Sequence, residues 1–200
     1  MFTKYREGNE LVTAFGSGLR KLGLNIGDHV GIFAKNCPEW HITDYSCACH
    51  ALVSVPVYDS YQPQDCKFIM AHSDMKAIVL TVDKVKFVSD LVAAGELPQL
   101  KLLIQIDDLR HPSAPKVEGA SYKFSEVVAL GKENPLPDPP VQPEDVYTIV
   151  YTSGTTGVPK GAMISHKNAC CSAILLMTRA TPPPQGTQGV DLYIHIYLLL

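Results

Sequence analysis

The sequence predicts an α/β fold, a mostly parallel sheet with helices on both faces. Two observations carry that prediction. Four short, almost wholly apolar runs, at 29–33, 52–57, 77–82 and 100–106, read as strands buried on both sides. Between them lie segments with helical apolar spacing, long enough to serve as the crossovers that parallel neighbours require. Composition agrees: 46% hydrophobic and 18% charged residues in a chain of 200 allow a sizeable core.

Element by element, Leu11, Ala14, Phe15, Gly18, Leu19 and Leu22 recur at helical spacing, and Gly23 stands where a helix-ending glycine belongs. Asn25-Ile-Gly-Asp28 turns the chain into the strand His29–Phe33. Pro38-Glu-Trp40 opens the next helix, with proline and an acid in its first turn, continuing through Ile42, Tyr45, Ala48 and Ala51. The single tryptophan, on an amphipathic helix, is expected in the core. Leu52–Val57 is a strand, Pro63 opens a helix carrying Phe68, Ile69 and Ala71, and Ala77–Val82 is again a strand. A helix over Val85–Ala94 and a strand over Leu100–Ile106 complete the series.

Beyond Asp107 the pattern loosens. A short helix is expected over Phe124–Leu130, and Pro135-Leu-Pro-Asp-Pro-Pro140 reads as a connector between two subdomains, residues 1–144 and 145–200. Asp145–Tyr151 and Ala162–Ser165 are strand-like, so the stretch between them joins two strands. Ser165 is placed to cap a helix running through Ala173, Leu176 and Met177, ended by Pro182-Pro-Pro184.

The formal charge of −3 and the lack of a Lys/Arg block argue against a nucleic-acid partner held by phosphate contacts. Six cysteines in so long and core-rich a chain are expected as reduced thiols. Cys47-x-Cys49-His50 lacks a second ligand pair and lies in an apolar helical pattern, so small buried residues are expected there and no metal site. No basic and apolar leader opens the chain, and no apolar run approaches the ~20 residues that span a bilayer. An intracellular protein is expected.

The richest local chemistry is in "YTSGTTGVPKG", residues 151–161. Glycines let backbone N–H groups converge on an anion, hydroxyls add donors, and a lysine adds charge, a combination suited to a polyphosphate. It is not a Walker A loop, because Lys160 follows Pro159 and precedes Gly161 and a strand, where that motif needs Lys-Ser/Thr and a helix. Gly16-Ser-Gly18 is no dinucleotide fingerprint either, since Lys21 replaces the third glycine and the segment is helical.

"YTSGTTGVPKG" resembles the phosphate-binding signature of the adenylate-forming superfamily, and "AKNCPEWHITDYSCACHALVSVPVYDS" with "HSDMKAIVLT" narrows the likeness to long-chain fatty acyl-CoA synthetases. The resemblance implies part of the N-terminal domain of that fold. It implies a fatty acid–CoA ligase with fatty acid, ATP and coenzyme A as substrates and Mg2+ beside the nucleotide. Thr152, Ser153, Gly154, Thr155, Thr156, Gly157 and Lys160 match the signature and would wrap the β,γ-phosphates, with Pro159 and Gly161 shaping the loop.

Motifs that the superfamily places after this loop are not in the chain, and "DLYIHIYLLL" departs from its pattern near His195, so an inactive fragment is the expectation. A truncated product that only binds nucleotide or a partner, and an enzyme adenylating another carboxylic acid, are the alternatives. From the resemblance alone, the longer form is expected at a membrane: the cytosolic face of the endoplasmic reticulum, the outer mitochondrial membrane or the peroxisome.

Overall fold

The computed structural model describes residues 5–107, 115–152 and 157–179, with side chains in the last helix through Leu175. In chain order the elements are α1 (Tyr5–Lys21), β1 (His29–Phe33), α2 (Pro38–Cys49), β2 (Val53–Pro56), α3 (Pro63–His72), β3 (Ala77–Leu80) and α4 (Val82–Ala93). There follow β4 (Leu102–Gln105), β5 (Tyr122–Lys123), α5 (Phe124–Glu133), β6 (Val146–Thr152), β7 (Lys160–Ser165) and α6 (His166–Arg179). The strands form one seven-stranded sheet in the order β5-β4-β3-β1-β2-β6-β7. Every pairing is parallel except β6 with β7.

Side chains alternate across the strands and so build a core on each face. On one side Val55, Ile78, Leu80 and Leu103 pack with Ile69 and Met70 of α3 and Val85 and Val88 of α4. On the other, Val30, Val79 and Ile104 meet Phe15 and Leu19 of α1, Ile42 of α2, and Phe124 and Val127 of α5. Phe15 and Phe124 stack with ring centroids 4.0 Å apart, and burying each such ring contributes about 1.5–3 kcal/mol. The α/β arrangement, the parallel pairing and the two-sided cover all match the sequence reading.

The glycines of Gly16-Ser-Gly18 have a packing role. A Cβ on Gly16 would enter the His50 ring, and one on Gly18 would meet the carbonyl oxygen of Val127, so α1 lies backbone-close to α5 at this point. Gly131 of α5 faces the carbonyl of Ala14 in the same way.

Element ends differ from expectation where local chemistry outweighs the apolar pattern. α4 begins at Val82, three residues early: Thr81 takes the extended backbone of an N-cap, without a side-chain cap hydrogen bond, and Asp83 puts an acid in the first turn. The Thr81 side chain is the main reason the Asp83 carboxyl lies below its usual pKa. α1 begins at Tyr5, ahead of the first apolar repeat, and ends where Gly23 takes a φ of +100°. β5 was not legible, since two residues carry no period; its backbone nonetheless extends the sheet beyond β4.

The proline-rich connector lies on α1. Leu136 N–H donates to Ser17 Oγ at 3.1 Å, Arg20 Nη1 donates to the Pro137 carbonyl at 3.1 Å, and Asp138 Oδ1 is 3.7 Å from His50 Nε2. The chain then re-enters the same sheet as β6, whose register with β2 rests on the pair Ser54↔Thr148. Side chains reinforce that junction: Thr148 Oγ1 donates to the Ser54 carbonyl at 3.0 Å, and buried Asp44 accepts from Ser54 Oγ at 2.7 Å and from the Tyr147 hydroxyl.

Candidate functional site: the β6–β7 hairpin mouth

β6 runs parallel to β2, so its last residue, Thr152, emerges at the same sheet edge as the carboxyl ends of β1, β2 and β3. In open α/β sheets that edge is where ligands bind. The antiparallel register brings Tyr151 opposite Gly161 and Thr152 opposite Lys160, so these two predicted residues close the loop 153–159 from either side. Gly157 lies on that loop with a φ of +87°, a backbone that side chains rarely adopt, which explains a glycine there. Ser153, Gly154, Thr155 and Thr156 lie outside the described residues.

Thr152 and Lys160 are both exposed. Lys160 forms no ion pair with another described residue. Lys84, near the same edge, is the contrast: its ammonium lies 2.9 Å from Asp59 and 3.2 Å from Asp83, and it sits 5.2 Å from the centre of the Phe33 ring. The Asp59 hydrogen bond above all holds its pKa above the ordinary lysine value, so its charge is already used within the fold.

Below the loop, Tyr151 is 2% exposed and its ring lies over Gly161, where an added Cβ would stand 3.1 Å from Cζ. The Tyr61 hydroxyl donates to the Tyr151 carbonyl at 2.6 Å, and the Tyr151 hydroxyl is 2.7 Å from His72 Nδ1. Burial raises the pKa of both phenols, so each stays a neutral hydroxyl at physiological pH. Spacing alone did not reveal Tyr61 and His72, because they lie 90 and 79 residues from Tyr151 in sequence.

At the far end of β7, Ser165 Oγ accepts from Asn168 N–H at 3.2 Å while Asn168 Oδ1 accepts from Ser165 N–H at 3.2 Å, a reciprocal cap for α6. Ser165 therefore does what the sequence suggested. Cys47 is buried in the core beside α1, and that burial pushes its thiol well above the usual range. Cys49 is only half-buried, and Trp40, expected in the core, is half-buried and meets the His41 ring edge-on with centroids 5.3 Å apart. His195 lies outside the described residues.

The mostly parallel seven-stranded sheet has the fold of the N-terminal domains of adenylate-forming enzymes. The structure of an anthranilate CoA ligase superposes with a TM-score of 0.73 at 22% identity, over 85% of this chain and 31% of that one. A long-chain-fatty-acid-CoA ligase from Archaeoglobus fulgidus gives 0.72 at 25% identity, over 86% of this chain and 32% of that one. A family model described as "AMP-binding enzyme" matches residues 3–196, and the chain belongs to that family.

Among curated relatives, the peroxisomal long chain acyl-CoA synthetase 6 of Arabidopsis thaliana is 39% identical over 82% of this chain and 24% of its own length. The human long-chain-fatty-acid–CoA ligase 1 is 31% identical over 90% of this chain and 27% of its own. The chain thus spans about a quarter of the length of the curated relatives it matches. No described helix is long and apolar enough to cross a membrane.

Proposed function

We propose that this chain carries the ATP phosphate-binding part of a long-chain fatty acid–CoA ligase. The observation that carries the proposal is the hairpin mouth, where Thr152 and the exposed Lys160 face each other at the ligand-binding edge of the sheet, with Gly157 shaping the loop between them. The identities to long-chain acyl-CoA synthetases support the choice of a fatty acid over another carboxylic acid.

In this reading a fatty carboxylate oxygen attacks the α-phosphorus of ATP and pyrophosphate leaves. The thiolate of coenzyme A then attacks the acyl carbon, forming the thioester and releasing AMP. Negative charge accumulates on the β,γ-phosphates in the first step, and fixed donors placed there stabilise it more in the transition state than in bound ATP. Lys160 supplies charge, Thr152 a hydroxyl, and the loop from Ser153 to Gly157 backbone and side-chain donors. Magnesium takes oxygen ligands and would neutralise charge on the same β,γ-phosphates.

We place the start of a second subdomain at residue 145, where the chain returns from its connector to the sheet, and the first subdomain over 1–144. The relatives' peroxisomal names support an intracellular protein; association of a longer form with a membrane belongs to the same proposal.

The test is ATP binding to this chain, with Lys160→Ala beside it, followed by ATP-to-AMP conversion by a longer polypeptide containing it across a panel of carboxylic acids. Lys160-dependent binding and a preference for long-chain fatty acids are expected. Binding that ignores Lys160 would reject the loop as the phosphate site, and preference for another acid would reject the substrate.

A further inference from the structure

Among the described residues the base of the loop is held from one side. β7 is the last of the described strands in the sheet and is exposed from Lys160 to Met163, so it contributes little to fixing the hairpin mouth. The grip comes from α3 and the residues preceding it, and it closes on Tyr151. The His72 ring stacks on Phe68 at 5.1 Å and 20°, meets the Tyr151 ring edge-on at 5.9 Å, and presents Nδ1 to the Tyr151 hydroxyl at 2.7 Å. Tyr61 holds the Tyr151 carbonyl from the other end of the residue.

We propose that His72 is a positioning residue for the phosphate loop, holding Tyr151 and through it the Thr152–Lys160 mouth; the proposal rests on the reading of that loop as phosphate-binding. A buried phenol needs a hydrogen-bond partner, and His72 supplies one. Tyr151 cannot move without moving its neighbour Thr152, because its ring is confined against Gly161 and its backbone is paired to the same residue. A binding site whose base is fixed beforehand loses less entropy on taking up a polyphosphate. His72 is itself exposed, so the fold does not depend on its bulk. Its loss acts on the loop and leaves the core intact, which separates positioning from a structural role.

The experiment uses this chain with ATP and Mg2+ as the probe and amide hydrogen exchange as a second readout. The variants are His72→Ala, His72→Asn, Tyr151→Phe, the His72→Ala/Tyr151→Phe pair, and Lys160→Ala as the reference for phosphate binding. His72→Ala and Tyr151→Phe should each speed exchange at Thr152 and Lys160 and weaken ATP binding roughly fivefold, the worth of one hydrogen bond. The pair should be no weaker than either single variant, since both break one contact. His72→Asn, whose amide can reach the phenol, should restore most of the affinity, and His72→Ala should shift the melting temperature by less than about 2 °C.

Unchanged exchange in His72→Ala, or losses that add in the pair, overturns the proposal. If Lys160→Ala abolishes binding while His72→Ala leaves it intact, positioning alone falls. If wild-type binding is absent or does not need Lys160, the phosphate reading falls and takes the proposal with it.

Discussion

Two glycines of one helix should respond to alanine in opposite directions. Gly8 and Gly18 both lie in α1, but a Cβ on Gly8 would meet nothing within 4 Å, whereas one on Gly18 would meet the backbone carbonyl oxygen of Val127 in α5. Replacing glycine by alanine in a helix contributes up to about 1 kcal/mol of stability, which is all that Gly8→Ala should show. At Gly18 the same gain is opposed by overpacking, typically costing 1–3 kcal/mol. The obstacle there is backbone, which cannot rotate away, so a cost of about 3 kcal/mol and a net loss of about 2 are expected. The two variants should then differ by about 3 kcal/mol, or roughly 6–12 °C in melting temperature for a domain this size. Urea denaturation of the chain, followed by far-UV circular dichroism, measures the difference. Equal stabilisation by both substitutions would refute the close approach of α1 and α5.

Three further outcomes are expected. Lys160→Ala in a longer, active polypeptide should raise the adenylation barrier by about 2.7–4 kcal/mol, as the loss of a charge-stabilising donor does, and single-turnover AMP formation reads it. Gly157→Ala forces a side chain onto a φ of +87° at a cost of about 1–2 kcal/mol, so ATP affinity should drop roughly tenfold, and less in Gly157→Asn, because asparagine tolerates that region. His50 is fully buried, and that burial depresses its pKa, with Asp138 and the Thr13 backbone opposing and Arg20 pushing the same way. A depressed folded value means the unfolded chain takes the proton first, so this contribution is present above the ordinary histidine value of about 6.5 and lost as pH falls through the folded value. Urea midpoints at pH 7.5 and 5.5 should therefore fall further in wild type than in His50→Asn.

What could be read from the sequence was whatever repeats or whatever is chemically dense. Buried parallel strands are apolar throughout, so Ala77–Leu80 stands out without any structure, and the hydroxyl, glycine and lysine content of residues 151–161 marks its own chemistry. Ser165 was legible as a cap because a cap is a local device. What could not be read is set by distance along the chain. His72 meets Tyr151 only once α3 packs beneath β6, and Gly18 meets Val127 only once α1 packs on α5. The start of α4 was misplaced for a different reason: Val82 is as apolar as the strand before it, so the apolar pattern does not mark the boundary that Thr81 sets with its extended N-cap backbone.

The two borders of the sheet are unequal. β5 offers two residues, one of them a lysine, and is too short to template anything. β7 offers six, with Met163 at 70% exposure beside a backbone row that no other described strand pairs. Among the described residues, the longer free border is therefore the one at β7. A strand arriving from the same polypeptide or from a second copy would find the same invitation at β7, and would dock next to the loop that Lys160 closes. Whatever occupies that border would stand beside the Thr152–Lys160 mouth, so the growth direction of the sheet also decides which neighbour meets that loop.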